Sequence, residues 1–182
     1  MVAGDYRMTV ILLYKGAMMR SVYEIVLWSI AFPGFGQILN GRIGKGILFL
    51  GLEFLINIKA NINEAIVLSF NGHITESIKA ADYQWIMFYP CVYMFAIWDA
   101  FRDADGGKSS HTFLISVFGA YFGTLGVVFS RDPIFHALLL GPVWLGLLGM
   151  ILGAAFGYAM KAFVTYRNHI RYVHNEIPRS NK

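Results

Sequence analysis

Residues 112–130 read TFLISVFGAYFGTLGVVFS, and none of these 19 side chains carries a charge. A helix needs about 20 predominantly apolar residues to cross the roughly 30 Å hydrocarbon core of a bilayer. We therefore predict that this stretch forms a membrane-spanning helix. The fold class follows from asking how many other stretches share this property.

The composition of the whole chain points in the same direction. Of its 182 residues, 57% are hydrophobic and 14% are charged, and the mean hydropathy is +0.53. Soluble domains carry about 25% charged residues. The low charge excludes a disordered tail protein and a nucleic-acid binder with a dense basic face. A single cysteine, Cys91, excludes an internal disulfide and a cysteine-rich metal cluster.

Four further apolar runs are candidate spans, so we predict an all-α polytopic membrane protein with about five transmembrane helices, or four if one weak span fails. They cover residues 22–39, 43–58, 85–101 and 134–160. We expect Pro33-Gly34 to kink the first, and the third contains Pro90. The 27-residue last run either tilts or has its first turns in the interface. We favour the second alternative, with the spanning part beginning at Pro142, because proline suits the first turn of a helix.

The spans divide the chain into four regions. Residues 1–20 form an N-terminal segment upstream of the first span, and we expect the natural start at Met18 or Met19. Residues 21–102 hold a helical hairpin and a third span, with an inserted interfacial region at 60–84 that Asn71-Gly72 breaks into two short surface helices or a helix and a turn. Residues 112–160 form a helix pair. In the polar, basic tail at 161–182 we expect about two more helical turns.

Lysine and arginine residues suggest the orientation. With five spans and the C-terminus inside, nine of them lie on the inner side, against four to six on the outer side. Because cytoplasmic loops are enriched in these residues, we predict a multi-pass cell-membrane protein with a cytoplasmic C-terminus.

The most specific local pattern is PGFGQILNGRIGKG at residues 33–46. Glycines allow a tight hairpin and close helix contact, here at Gly34, Gly36, Gly41, Gly44 and Gly46. We expect Gln37 and Asn40 to satisfy backbone groups left unpaired by Pro33 and the turn. The pattern fits either a plain hairpin or contact of Arg42 and Lys45 with anionic lipid headgroups. It is not a nucleotide loop, because no strand precedes it and no Lys-Ser/Thr pair follows.

This hairpin pattern, together with Ile97-Trp98-Asp99-Ala100-Phe101, resembles the TM2-domain group of small membrane proteins and its bacterial relatives. In that group a glycine-rich first hairpin is followed by an aromatic-Asp ending. The resemblance covers roughly residues 24–102, and the insertion at 60–84 and the Gln37–Asn40 segment depart from the pattern. It implies an architecture and no reaction.

Glu53 is the sharpest ionisable residue within an apolar run. A charge in hydrocarbon costs roughly 2.5–3.5 kcal/mol on insertion scales unless it meets a partner or water. Because Lys45 lies about two turns away, we expect a partner from another helix, and the candidates are Gln37, Asn57, Tyr89 and Tyr93. Glu53 is then either a proton or cation site or a hydrogen-bonded carboxyl that fixes helix packing. Asp99 lies at a span end, where we expect a local pair with Arg102.

Glycines recur every four residues in the last two spans. Small residues at this spacing let helices meet backbone to backbone in lipid. The stripe is either an intramolecular seam or a homo-oligomer interface. Its members are Gly119, Gly123, Gly149, Gly153 and Gly157.

No catalytic constellation, metal site or cofactor motif emerges, and the histidines are scattered. We read residues 102–107 as a solvated turn. We predict a non-enzymatic membrane module whose partners are the bilayer, with anionic headgroups among its contacts, and a membrane protein or a second copy, and which binds no nucleic acid. The alternative is a small transporter or channel subunit that uses Glu53, with Tyr89, Tyr93 and a kink at Pro90 lining the path.

Overall fold

A computed structural model describes residues 22–104, 110–132 and 139–176, with side chains up to residue 171. These residues form helices joined by turns, without a strand, so the all-α prediction is confirmed for this part of the chain. The predicted N-terminal segment at 1–20 lies outside it. Two compact units are present. The hairpin unit comprises Met1–Leu52 and Ala96–Lys108, and the paired-helix unit comprises Glu53–Phe95 and Ser109–Lys182.

The helices are given in chain order. They are α1 (Val22–Ala31), α2 (Phe35–Leu39), α3 (Ile43–Ala60), α4 (Ile62–Phe70), α5 (Ile74–Ala80), α6 (Tyr83–Ile86), α7 (Tyr89–Asp103), α8 (Phe113–Val128) and α9 (Gly141–Glu176). A 3-10 turn, Phe129–Arg131, follows α8.

The first predicted span is two helices, and the expected kinked helix over 22–39 is wrong. α1 ends at Ala31, and α2 begins only at Phe35. Gly34 between them has φ +107°, a conformation that L side chains rarely adopt and that cannot continue a right-handed helix. The interruption at Pro33-Gly34 is therefore a turn.

The hairpin turn lies at Asn40-Gly41, where the sequence predicts it. Gly41 has φ +73°, and its N–H donates to the Ile38 carbonyl at 2.9 Å. The Arg42 N–H donates to the Gln37 carbonyl at 2.8 Å. These two bonds cap the carbonyl end of α2 in the manner of a left-handed C-terminal cap.

In the paired-helix unit, α8 and α9 pack backbone to backbone. A Cβ on Gly149 would meet the Phe122 carbonyl group and lie 3.1 Å from the Gly123 Cα. Gly153 faces Phe118 in the same way, and Gly157 faces Leu114. The stripe on α9 is thus covered by α8 of the same chain, which is the intramolecular alternative. On α8, Gly119 and Gly123 also face side chains, those of Met94, Met150 and Pro90.

The inserted region at 60–84 forms α4, α5 and α6. We expected short surface helices, but some of its residues are buried. Ser69 and Ser77 are buried, and their Oγ atoms are 2.8 Å apart. Ser77 Oγ also donates to the Ala65 carbonyl at 2.9 Å. The Trp144 indole of α9 donates to the Ser69 carbonyl at 3.2 Å. The two hydroxyls therefore have hydrogen-bond partners within the packed contact between α4 and α5. A buried polar group without a partner would lower the stability of the fold.

Two proline positions and one helix end refine the predicted spans. Pro142 lies in the first turn of α9 after Gly141, as expected. Pro90 also lies in a first turn, that of α7, so the expected kink within the third span is wrong. A first-turn proline leaves no hydrogen bond unmade. α9 runs on to Glu176, which exceeds the two turns expected after Met160.

Two helices of the described chain are long and apolar enough to cross a membrane. They are Phe113–Arg131 and Gly141–Arg171. Only 22% of the most apolar window of the first and 17% of that of the second is buried within the chain.

Candidate functional site

The hairpin unit brings predicted polar residues from α3 and α7 together. Lys45 Nζ lies 2.8 Å from Asp99 Oδ1 and 2.8 Å from Asp103 Oδ2. The Asp99 side chain is 5% exposed and that of Asp103 is 14% exposed, whereas Lys45 remains 40% exposed. One ammonium therefore bridges two largely buried carboxylates one helical turn apart on α7.

Two arginines complete what we call the charged cluster, which consists of Arg42, Lys45, Asp99, Arg102 and Asp103. Arg102 Nη2 lies 2.9 Å from Asp99 Oδ1, the expected i, i+3 pair, and 3.7 Å from Asp103 Oδ1. Arg42 Nε lies 3.8 Å from Asp103 Oδ2. The cluster holds three cations and two carboxylates, so its formal charge is positive.

Arg102 is also ordered by an aromatic ring. Its guanidinium carbon lies 4.7 Å from the centroid of the Trp98 ring, within the range of a cation–π contact. With Asp99 on one side and Trp98 on another, the guanidinium has a defined position although 44% of the side chain is exposed.

Gln37 and Asn40 bind α7, whereas we expected them to satisfy backbone groups left unpaired by Pro33 and the hairpin turn. Gln37 Nε2 donates to the Ala96 carbonyl at 2.8 Å and to Asp99 Oδ2 at 3.4 Å. Asn40 Nδ2 donates to the Ala100 carbonyl at 2.8 Å. Gln37 is fully buried, and its Oε1 has no hydrogen-bond partner among the residues that the structure describes. The two amides attach the hairpin to successive turns of α7.

Three of the five hairpin glycines lie at close contacts. A Cβ on Gly36 would overlap the Ser29 hydroxyl and lie 2.8 Å from the Ala100 Cβ. A Cβ on Gly34 would lie 2.6 Å from the Gly46 carbonyl oxygen, and Gly46 itself faces Ile38. The expected contact role is wrong for the other two, since no atom of the described residues lies within 4 Å of a Cβ position at Gly41 or Gly44. Gly41, with its positive φ, serves the turn.

The Lys45 ammonium changes the acidity of its neighbour. The hydrogen bond from Lys45 lowers the pKa of Asp103 below its usual value, against the opposing effect of burial. The nearby guanidinium groups of Arg102 and Arg42 act in the same direction as Lys45. Asp103 is thus held as a carboxylate, and the cluster is an ion-pair network near neutral pH.

Asp103 is the member of the cluster that sequence reasoning missed. It was assigned to a solvated turn after the third span, but it is the last residue of α7 and is mostly buried. A signal was present: Asp99 and Asp103 are four residues apart, which places them on one helix face. The remainder of the predicted turn, residues 105–107, lies outside the described residues.

Glu53 lies in the paired-helix unit and has one of the expected partners. The Tyr89 hydroxyl donates to Glu53 Oε1 at 3.0 Å. The rings of Tyr89 and Tyr93 are stacked with centroids 5.6 Å apart. Of the other candidates, Asn57 bonds Asn63 and Gln37 bonds α7. Glu53 is therefore a half-buried acceptor beside two tyrosines.

Among the described residues, no group of three or more His, Cys, Asp or Glu side chains could hold a metal ion. The exposed cations of the charged cluster can bind an anionic group, and its ion pairs hold α3 and α7 together. Comparison with protein-family models, with curated proteins and with solved structures finds no match to this chain.

Proposed function

We propose that this chain is an integral membrane protein of about five spans that works without catalysis, as a module that binds partner proteins or lipids. The observation that carries the proposal is the exposure of α8 and α9. Each contains a strongly apolar stretch of 18 residues, yet most of that stretch is uncovered within the chain. The core helix of a soluble protein has its apolar side chains buried against the rest of the chain.

The side chains of α9 illustrate this point. Ile151 is 57% exposed, Leu152 63% and Phe156 46%. Contiguous apolar patches larger than a few hundred Å² are rare on soluble monomers and mark interaction or membrane surfaces. Lipid tails cover such a surface without further protein, so a bilayer is the environment that fits it best.

The TM2-like resemblance supports a module built around the hairpin. Its two motifs, the glycine-rich hairpin and the aromatic-Asp ending, are connected through hydrogen bonds of Gln37, Asn40 and Lys45 to α7. A network that joins both motifs suits a rigid recognition unit. We therefore expect partner or lipid binding to depend on this unit.

Membrane integration is tested by alkaline carbonate extraction of membranes from cells expressing the full chain. We expect the protein to stay in the pellet, as an integral control protein does. Single cysteines placed at Arg42 and at Arg171, in a chain with Cys91 replaced by serine, then report orientation by their labelling with an impermeant maleimide. We expect both positions to be labelled only from the inner side. Release by carbonate refutes integration, and labelling of Arg171 from outside refutes the orientation.

A transporter or channel subunit is the second candidate, favoured by the Glu53 carboxyl next to Tyr89 and Tyr93. Proton or cation flux into proteoliposomes tests it. Glu53→Gln keeps the acceptor for the Tyr89 hydroxyl, so it should abolish flux without unfolding the protein. Glu64→Gln, at an exposed carboxylate of α4, is the matched control. Absence of flux in the unmodified protein excludes this function.

A further inference from the structure

We propose that the hairpin unit contains a binding site for one anionic phospholipid, with the phosphate at Arg42 and the rim of the charged cluster and an acyl chain in the apolar groove beside α2. This inference rests on the proposed membrane function and names the ligand of that same unit.

The polar half of the site follows from charge. The cluster has three cations for two carboxylates, which leaves one positive charge uncompensated within it. That excess is most accessible at Arg42, whose side chain is 65% exposed and whose Nε lies 3.8 Å from Asp103 Oδ2. A guanidinium has five N–H donors in a planar fork that matches phosphate oxygens.

Arg102 and Lys45 make this rim a prepared surface. The ring of Trp98 and the carboxylate of Asp99 fix Arg102, and two carboxylates fix Lys45. Because the side chains are held in place before binding, less conformational entropy is lost when an anion arrives. Both keep exposed surface, at 44% and 40%.

The apolar half of the site is a groove of about 320 Å³ lined by Trp28, Phe35, Ile38 and Leu39. This volume lies near the lower end of the roughly 300–1,000 Å³ that ligand pockets occupy. Leu39 is 51% exposed and Trp28 44% exposed, so the walls are open to the surroundings. The surface that these four described residues present to the groove is apolar, so it does not select a hydrophilic ligand.

The short chain distance between the halves favours a single amphipathic ligand. Leu39 of the groove and Arg42 of the cluster are separated only by the Asn40-Gly41 turn, and three residues span at most about 11 Å. A phospholipid joins its phosphate to its acyl chains over a comparable distance. In the predicted orientation this turn faces the inner leaflet, where anionic lipids are concentrated.

The test uses the purified full chain in a neutral detergent, titrated with phosphatidylglycerol and with phosphatidylcholine of identical acyl chains. Binding is measured by native mass spectrometry. We expect phosphatidylglycerol to bind more tightly, and Arg42→Gln to weaken its binding about fivefold, as for the loss of one basic contact. Arg42→Lys should keep most of the affinity. Lys59→Gln, which removes an exposed cation from the paired-helix unit, should leave it unchanged.

A second pair of variants tests the groove. Leu39→Ser should weaken binding of both lipids, whereas Leu55→Ser, at a leucine of similar exposure in the other unit, should not. Equal affinity for the two lipids, or equal effects of Arg42→Gln and Lys59→Gln, overturns the site. If free glycerol phosphate competes at the same concentrations as phosphatidylglycerol, the anion alone is recognised. That result would overturn the lipid assignment. Failure of carbonate resistance refutes the membrane function itself, whereas loss of lipid preference in an integrated protein refutes only this site.

Discussion

Replacing Asp99 should be the most destabilising single change in the charged cluster. Asp99 accepts hydrogen bonds from Lys45 at 2.8 Å, from Arg102 at 2.9 Å and from Gln37 at 3.4 Å, and its side chain is 5% exposed. Hydrogen bonds to charged groups contribute roughly 1.5–3 kcal/mol each when buried. Lys45 and Arg102 are partly exposed, so water replaces much of what they lose.

We therefore expect Asp99→Ala to lower the free energy of unfolding by about 2–3 kcal/mol, less than three full bonds. Asp103→Ala is the matched comparison. It removes one short bond to Lys45 and two longer ion pairs, at 3.7 Å to Arg102 and 3.8 Å to Arg42. For that variant we expect about 1 kcal/mol. The difference arises because Gln37 is fully buried and cannot exchange its lost carboxylate for water.

The assay is reversible unfolding of the purified protein in mixed micelles with increasing sodium dodecyl sulfate, followed by far-UV circular dichroism. A double-mutant cycle with Lys45→Met isolates the pair, and we expect a coupling energy near 1 kcal/mol between Lys45 and Asp99. If Asp99→Ala and Asp103→Ala cost the same within about 0.5 kcal/mol, a central role for Asp99 is refuted.

Three further outcomes follow from the structure. The pKa of Asp103 is lowered in the fold, so its contribution to stability is present above the unfolded-state pKa near 3.9 and is lost as pH falls through the lower folded value. The difference in unfolding free energy between wild type and Asp103→Asn should therefore shrink below about pH 4. A difference that does not change with pH would contradict this prediction. Gly153→Ala places a methyl group against the backbone of α8 and should lower the free energy of unfolding by about 1–3 kcal/mol. Gly51→Ala has open space among the described residues and should not lower it. Equal melting temperatures for these two variants would rule out the close contact between α8 and α9. Glu53→Gln keeps an acceptor for Tyr89 and should change the unfolding free energy by less than about 1 kcal/mol, whereas a larger loss would show that the charge itself stabilises the fold.

The parts of the fold that could be predicted are those encoded within a few residues. The uncharged run at 112–130 predicts a long apolar helix, Pro142 predicts the start of α9, and Asn71-Gly72 predicts the break between α4 and α5. Each signal acts through local backbone chemistry. The kink expected at Pro90 was wrong because first-turn and mid-helix prolines look alike when the helix start is unknown, and α7 begins only at Tyr89.

The candidate site was harder, because its decisive contacts join distant parts of the chain. Lys45 and Asp99 are 54 residues apart, and nothing in the local pattern of either one identifies the other. From the sequence, Lys45 therefore belonged either to a plain hairpin or to a contact with lipid headgroups, and Asp99 was paired only with Arg102. The hairpin glycines could be recognised as a group, but only the packing distinguishes Gly36 from the uncontacted Gly44.

The length of α9 has a mechanical consequence. Its 36 residues extend about 54 Å at 1.5 Å per residue, well beyond the roughly 30 Å of a hydrocarbon core. If α9 enters a bilayer at Pro142, as we propose, the part after Met160 extends beyond the hydrocarbon as a continuous helix that carries Lys161, Arg167 and Arg171. A rotation or tilt of the buried part is transmitted along this helix and displaces its basic end over a wider arc. A change in how α9 packs against α8 would in this way move the basic end of α9 in the aqueous phase.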